Sequence, residues 1–430
     1  MLRIKNGRVI DPASSTDEIL DVWVEGERIS RVAPAPSGSA GGDIAGPAQI
    51  ETLDATGLCV TPGFIDLHCH LREPGQELSE TIETGTRAAA RGGFTAVCTM
   101  PNTQPVNDNA SVTRGIVERA AAAGAVRVWP IGAASVGSKG ESLSEIAAMK
   151  EAGIVAVSDD GKPVATARLM RQVMDYCRAL DLPVIDHCED RSLFAGGVMR
   201  EGPRSIRLGL RGIPAQSESI CVGRDLEVVT LTGARLHIAH MSARASLEYV
   251  RAAKQQGLQV TCEVTPHHFT LIDEDVRYDS HYKMNPPLAS REDRTALIEG
   301  LADGSVDAIA TDHAPHHPSS KDVEFDRAPF GIIGFESALA LALSELVRPG
   351  KISLMRLVEL FTTGPARVLG IERKIAADEP ADLTIFSTDQ VWTYRTSESP
   401  SKSRNSPFDG REFRGAPMAT IVAGKMVYRR

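Results

Sequence analysis

The segment Asp66-Leu67-His68-Cys69-His70 ends an apolar run with two imidazoles spaced two residues apart. Alternate residues of a strand point to the same face, so His68 and His70 project together and can reach one ion. The same donor types stand at the ends of four other apolar runs: Asp159 and Asp160 in SDDG, His187 in DHCED, His240 in HIAHMS and Asp312 in TDH. Imidazole and carboxylate donors suit zinc or another borderline first-row metal. Each residue alone has a blander explanation. A lone strand-end histidine is more often a satisfied core residue, and an aspartate after a strand is more often a helix N-cap. Five separate runs delivering a ligand type to one rim is what that explanation fails to cover. Bound zinc lowers the pKa of water to about 7 and polarises carbonyl groups. A carboxylate beside such a water can take its proton and return it to a leaving nitrogen, and Asp312 is placed for that role. The chemistry implied is metal-assisted hydrolysis of an amide-like or ester-like bond.

A rim of this kind needs elements to position it. Eight short apolar runs, at 64–70, 95–100, 126–131, 154–158, 183–187, 236–240, 259–264 and 307–311, alternate with Ala/Leu/Glu-rich stretches such as 79–91, 165–180, 243–256 and 291–301. Apolar runs that alternate with helical segments indicate a parallel sheet. Eight units over 61–372 predict a (β/α)8 barrel, whose chemistry sits at the C-terminal ends of its strands. An open doubly wound sheet is the alternative, and the lack of G-x-G-x-x-G after the first run weakens its dinucleotide-binding form. Residues 1–60 and 373–430 read differently. Short strands at 2–4, 22–24, 28–32, 381–386 and 419–428 are separated by turns, by the small-residue stretch 33–46 and by the Ser/Pro/Arg-rich TSESPSKSRNSP. Both ends are expected to join in one small, sandwich-like β-domain.

The chain has 430 residues, is 42% hydrophobic and carries a net charge of -9. A mildly acidic chain without Lys/Arg runs gives no reason to expect nucleic acid or an anionic membrane as partner. No apolar stretch reaches 18 residues, and the start lacks a secretory pattern, so a cytoplasmic protein is expected. The seven cysteines, an odd number without CxxC spacing, read as reduced thiols.

The stretch GFIDLHCHLREPG resembles the signature of the dihydroorotases of the amidohydrolase superfamily, type I in particular. The resemblance continues through ETIETGTRAAARGGFTAVCTMPNTQPV, VSDDGKPV, DHCED, HIAHMS, VTPHHF, MNPPL, IATDHAPH and APFGIIGFE. It implies reversible hydrolysis of dihydroorotate to N-carbamoyl-L-aspartate in pyrimidine biosynthesis, with one or two zinc ions. By similarity His68, His70 and Asp312 hold one zinc with Asp160 reaching it, and His187 and His240, again with Asp160, hold a second. Asp159 is the alternative to Asp160. Asp312 is the implied general acid/base. Arg72, Asn102 and His316 resemble residues that bind the ring carboxylate, and a guanidinium fork suits that group. Asn285 and the backbone of Phe330 and Gly331 are implied on the ring, with His70 and Asp312 also reaching the substrate. Without the resemblance, Asn102 and Asn285 read as turn residues and Arg72 as a surface ion-pair partner. His267 and His268 are expected to be structural, as are His237 and His281. Cys69, pointing away from the imidazoles, is expected to pack. The loop 316–329 reads as a lid or a static rim. Hydantoinase- and allantoinase-type chains are the nearest rivals. They usually carry a carboxylated lysine near the fourth strand, where this chain reads IVAVSDD. A non-catalytic partner of aspartate transcarbamoylase is a further alternative, although every ligand position is filled. A homodimer is also compatible.

Overall fold

The computed structural model describes residues 1–35 and 50–430; residues 36–46 of the predicted small-residue loop lie outside the described residues. Eight parallel strands form the centre, labelled here β1 (Phe64–Cys69), β2 (Phe94–Thr99), β3 (Arg127–Gly132), β4 (Ala156–Val157), β5 (Val184–Asp186), β6 (Leu236–Ile238), β7 (Val260–Val264) and β8 (Ala308–Ile309). They neighbour one another in chain order. A parallel bridge between Cys69 and His313, with His70 N–H donating to His313 O at 2.9 Å, links the last strand to the first. Each predicted apolar run overlaps one of these strands, and the fold is the expected (β/α)8 barrel. β2 (FTAVCT) shows why: β-branched and aromatic residues, buried on both faces, suit a strand covered by helices outside and a packed interior within.

The helices follow from capping and periodicity. Thr81 accepts from Thr84 N–H at 3.2 Å while the Thr84 hydroxyl accepts from Thr81 N–H at 3.1 Å, a reciprocal cap that starts helix Ile82–Arg91. Helix Ala167–Ala179 buries Leu169, Met170, Val173, Met174 and Cys177, one stripe at helical spacing. Each such side chain contributes about 1.5–3 kcal/mol when fully withdrawn from water.

Strands from both ends of the chain form one mixed sheet. Leu2–Asp11 pairs antiparallel with Thr16–Glu25 and parallel with Glu51–Asp54 and Cys59–Pro62. Cys59–Pro62 pairs in turn with Leu383–Thr393, which brings in Glu412–Val422 and Lys425–Arg429. The single strand expected at 419–428 is instead a hairpin. Ala423 and Gly424, at φ 48° and 73°, make the left-handed two-residue turn that matches strand twist.

Two features fasten this sheet to the barrel. The Phe64 ring of β1 lies 5.0 Å from Phe361 and 6.0 Å from Phe386 of Leu383–Thr393. Asp382, buried, accepts from Arg127 Nε at 2.7 Å, Arg373 Nη1 at 3.0 Å and Ala423 N–H at 2.8 Å. The TSESPSKSRNSP segment, expected only as a connecting loop, returns to the barrel. Ser401, Ser403 and Asn405 are buried there, and the Ser401 hydroxyl donates to Glu80. Among the described residues, no helix is long and apolar enough to cross a membrane.

Candidate metal centre and active site

The strand ends deliver the titratable residues to one place. β1 brings His68 and, one residue beyond its end, His70; the loops after β4, β5, β6 and β8 bring Asp160, His187, His240 and Asp312. All six are buried to 5% exposure or less. Asp160 lies at the middle. Its Oδ1 is 3.3 Å from His68 Nε2, 3.4 Å from His187 Nδ1 and 3.6 Å from His240 Nε2, and its Oδ2 is 3.6 Å from His70 Nε2. Asp312 Oδ1 is 3.2 Å from His70 Nε2 and 3.6 Å from His68 Nε2. Asp159 faces elsewhere: its carboxylate accepts from Ala134 N–H at 2.9 Å, from Ser135 N–H at 3.1 Å and from the Ser135 hydroxyl.

Electrostatics separates these groups. Burial disfavours charge on His68, but the Asp160, Glu263 and Asp312 carboxylates outweigh it and hold its pKa well above the usual range. Burial likewise opposes ionisation of Asp160, and the surrounding imidazoles more than reverse that. His187 is pushed up to about 10 by Asp160 and Glu189 against burial, while His240, 2.9 Å away, is lowered by burial.

The donors fit a cation. Ligands about 2.1 Å from a tetrahedral ion stand about 3.4 Å apart, and the contacts above span 3.2–3.6 Å. His68 Nδ1, His68 Nε2 and His240 Nδ1 are buried without a hydrogen-bond partner. Buried polar atoms are rarely left so. Two sets, His68/Asp160/His240 and His68/His70/Asp312, have donor atoms within 4.8 Å of one another.

Beside the ligand cluster lies a cavity of about 230 Å³ lined by His70, Arg72, Asn102, Asn285, His316 and Gly331 among others. A larger hollow of about 720 Å³, lined by Glu359, Arg367 and Lys374 among others, holds no histidine or cysteine and lies away from the rim. Arg72 is buried, and burial lowers its pKa to about 10; Nε donates to Pro315 O at 3.1 Å and Nη2 approaches His316 Nε2 at 3.5 Å. Burial and Arg72 push His316 down to about 2, so its ring is neutral and donates to Phe330 O at 2.7 Å. Asn102 bridges His70 Nδ1 at 2.9 Å and Asp160 Oδ2 at 3.1 Å. Asn285 donates to Glu189 at 2.8 Å and lies 3.2 Å from His187 Nε2. Arg72, His240 and Asp312 all have φ between 31° and 62°. Such backbones cost roughly 1–3 kcal/mol each and cluster at functional sites.

Several supporting residues were not anticipated from the sequence. Glu263 of β7 lies 3.3 Å from His68 Nδ1 and 3.1 Å from His237 Nε2. Its signal is a carboxylate inside an apolar run, which must find partners when buried. Asn405 Nδ2 donates to Ala314 O at 2.9 Å and Gly331 O at 3.0 Å. Lys321, buried in the 316–329 segment, donates to Pro329 O at 2.9 Å and Gly331 O at 3.0 Å. No local sequence signal marks these two. Of the remaining histidines, His268 bonds Thr265 and Pro286 O and His313 stacks on Phe335 at 4.0 Å, whereas His267 is buried with its Nε2 unpartnered. Cys69 packs, its thiol donating to Cys98 O at 3.2 Å.

A closed parallel barrel whose rim gathers imidazoles and carboxylates from five strands marks a hydrolase of amide-like or ester-like bonds, and its donor groups suit a metal ion. The family model for dihydro-orotase-like proteins matches residues 57–246. A dihydroorotase of Solibacter usitatus is 57% identical over 99% of this chain and 98% of its own length, and one of Geobacter metallireducens is 49% identical over the whole of both. The chain belongs to the dihydroorotase family. In structure it is similar to the L-hydantoinase of Arthrobacter aurescens (TM-score 0.87, 24% identity, covering 100% of this chain and 96% of that one). It is also similar to a D-hydantoinase from a Thermus species (TM-score 0.81, 26% identity, 100% and 95%). Those likenesses place the barrel and terminal sheet in one common architecture.

Proposed function

We propose that this chain interconverts (S)-dihydroorotate and N-carbamoyl-L-aspartate at a zinc centre held by His68, His70, Asp160, His187, His240 and Asp312. The observation that carries the reading is Asp160, whose two oxygens face four imidazoles within 3.6 Å. Bound there, zinc supplies a Lewis acid for the ring carbonyl and water of near-neutral pKa. Asp312 takes a proton from the attacking water at its carboxylate and passes it to the ring nitrogen as the carbon–nitrogen bond breaks. Cyclisation runs the same transfers in reverse. The neighbouring imidazoles hold Asp312 ionised, far below the usual carboxylate range, so that it starts the forward reaction as a base.

Arg72 presents a guanidinium to the substrate carboxylate, a geometry that favours paired hydrogen bonds. Asn102 orients both that carboxylate and the His70 ring. His316 holds the Phe330–Gly331 segment, whose backbone meets the ring amide. A cavity of about 230 Å³ is smaller than the roughly 300–1,000 Å³ typical of drug-sized ligands, which suits a single small ring.

The test is turnover of the purified, zinc-loaded chain on dihydroorotate, hydantoin and allantoin in parallel, with metal counted by emission spectroscopy. Dihydroorotate should be preferred by orders of magnitude. Preference for hydantoin or allantoin, or a metal-loaded chain that turns over none of them, would overturn the reading.

A further inference from the structure

Among the described residues a third set of donor atoms converges within 4.8 Å, away from the substrate cavity: Asp186, Cys188, Cys221 and Asp225. Asp186 ends β5, and Cys188 follows two residues on. Cys221 and Asp225 are one turn apart on helix Gln216–Thr232, so they share its inner face. The chain alternates here. Ile185 packs inside the barrel and His187 faces the rim, whereas Asp186 and Cys188 look outward to the helix. All four residues are 4% exposed or less.

The contacts form a closed ring. Asp186 Oδ2 lies 3.2 Å from Cys188 Sγ and 3.8 Å from Cys221 Sγ, and Asp225 Oδ2 lies 3.6 Å from each sulfur. Arg224 occupies only the other Asp225 oxygen, with Nε at 2.8 Å and Nη2 at 2.7 Å from Oδ1. Hydrogen bonding fills this ring only in part. Two thiols carry two hydrogens for four sulfur–oxygen contacts, with one more available on Asp225, whose carboxyl is pushed well above its ordinary range by burial and by Asp186. A cation bound tetrahedrally at about 2.3 Å from sulfur and about 2.1 Å from oxygen sets sulfur–oxygen edges of about 3.6 Å. The four edges, at 3.2, 3.6, 3.6 and 3.8 Å, scatter about that figure.

The geometry points to a second metal site, a closed thiolate–carboxylate tetrahedron for a divalent cation of the zinc type, distinct from the catalytic rim. On loading, two S–H bonds break, two sulfur–metal bonds form, and the displaced protons leave to solvent. The four donor charges then face three positive ones, two on the cation and one on the Arg224 guanidinium, which leaves one net negative charge. All four positions come from protein, which marks a structural site rather than a catalytic one. A small hollow lined by Cys188, Ser217 and Glu218 borders it and offers a way in. The site would tie the end of β5, one residue before His187, to the helix that covers it.

The experiment is cobalt(II) loading of the full chain, followed by ultraviolet–visible absorption. Only thiolate ligation gives a strong near-ultraviolet charge-transfer band, and the rim offers nitrogen and oxygen donors alone. The band should saturate with one cobalt per chain. It should vanish in Cys188→Ser/Cys221→Ser, which loses one cobalt and keeps the visible absorption of the rim ion. A folded, cobalt-loaded wild type without the band would overturn the site, as would a band that survives the double substitution. If that variant does not fold, the wild-type titration decides alone, and Asp225→Asn should weaken the band as a second check. Activity is not the readout, so failure here and failure of the proposed reaction remain separate results.

Discussion

Asp382 and Asp160 are both buried carboxylates set among basic side chains, yet the protein treats them differently. Asp382 sits where the terminal sheet meets the barrel, and its oxygens are filled by two guanidinium groups and a backbone N–H. Asp160 sits at the rim, where its neighbours are four imidazoles and the Asn102 amide. A structural charge is met by guanidinium groups, whereas a functional one is set among groups that can also bind a cation.

Removing the rim carboxylate should therefore harm chemistry and spare the fold. Asp312→Asn should lower kcat by about 10²–10⁴-fold, the usual worth of a positioned acid/base, with metal content and Tm little changed. Near-normal turnover would take Asp312 out of the mechanism. The opposite result belongs to the seam. Asp382→Asn should cost about 1–3 kcal/mol by weakening the charge-assisted bonds from Arg127 and Arg373, while the kcat of the folded fraction stays close to wild type; denaturant unfolding measures the first and steady-state kinetics the second. The pH dependence has a definite sign. Asp382 is held below its ordinary pKa by Arg127, its neighbouring backbone N–H and Arg373, against the opposing effect of burial. Its contribution is thus present above about pH 4, the unfolded value, and disappears as pH falls through the folded one. The stability gap between wild type and variant should be full at pH 7 and close in acid. A gap that widened in acid would contradict the comparison.

A smaller effect probes the cavity wall between these extremes. Gly331 has φ 122°, and a Cβ there would stand 2.6 Å from Ala314 Cβ and 3.2 Å from His316 Nε2. Gly331→Ala should cost roughly 1–3 kcal/mol of local strain. It should appear as a fall of about tenfold in kcat/KM together with a drop in Tm of a few degrees. An equal loss in Tm without a kinetic effect would make the segment structural only.

How far the sequence reached follows from the same physics. The barrel was legible because each strand is a short apolar run between turn signals, and the rim because its ligand types end those runs. The choice between Asp159 and Asp160 was not, since adjacent residues in SDDG differ only in which backbone amides the loop after β3 offers. Asp159 is taken by Ala134 and Ser135. Glu263 carried a readable signal in the apolar run VTCEV. Asn405 and Lys321 carried none, because their value lies in which distant carbonyls they meet. The 419–428 stretch read as one strand because nothing in its hydropathy reveals a left-handed Ala423-Gly424 turn.

Asn405 also has a consequence for the order in which the enzyme becomes competent. Its amide secures the carbonyls of Ala314 and Gly331, though it lies 74 residues beyond the glycine in the chain. During synthesis from the first residue onward, every proposed ligand leaves the ribosome before the bracket that steadies the pocket. A nascent barrel would therefore gather its metal donors first and gain a finished substrate wall only when the terminal sheet closes over it.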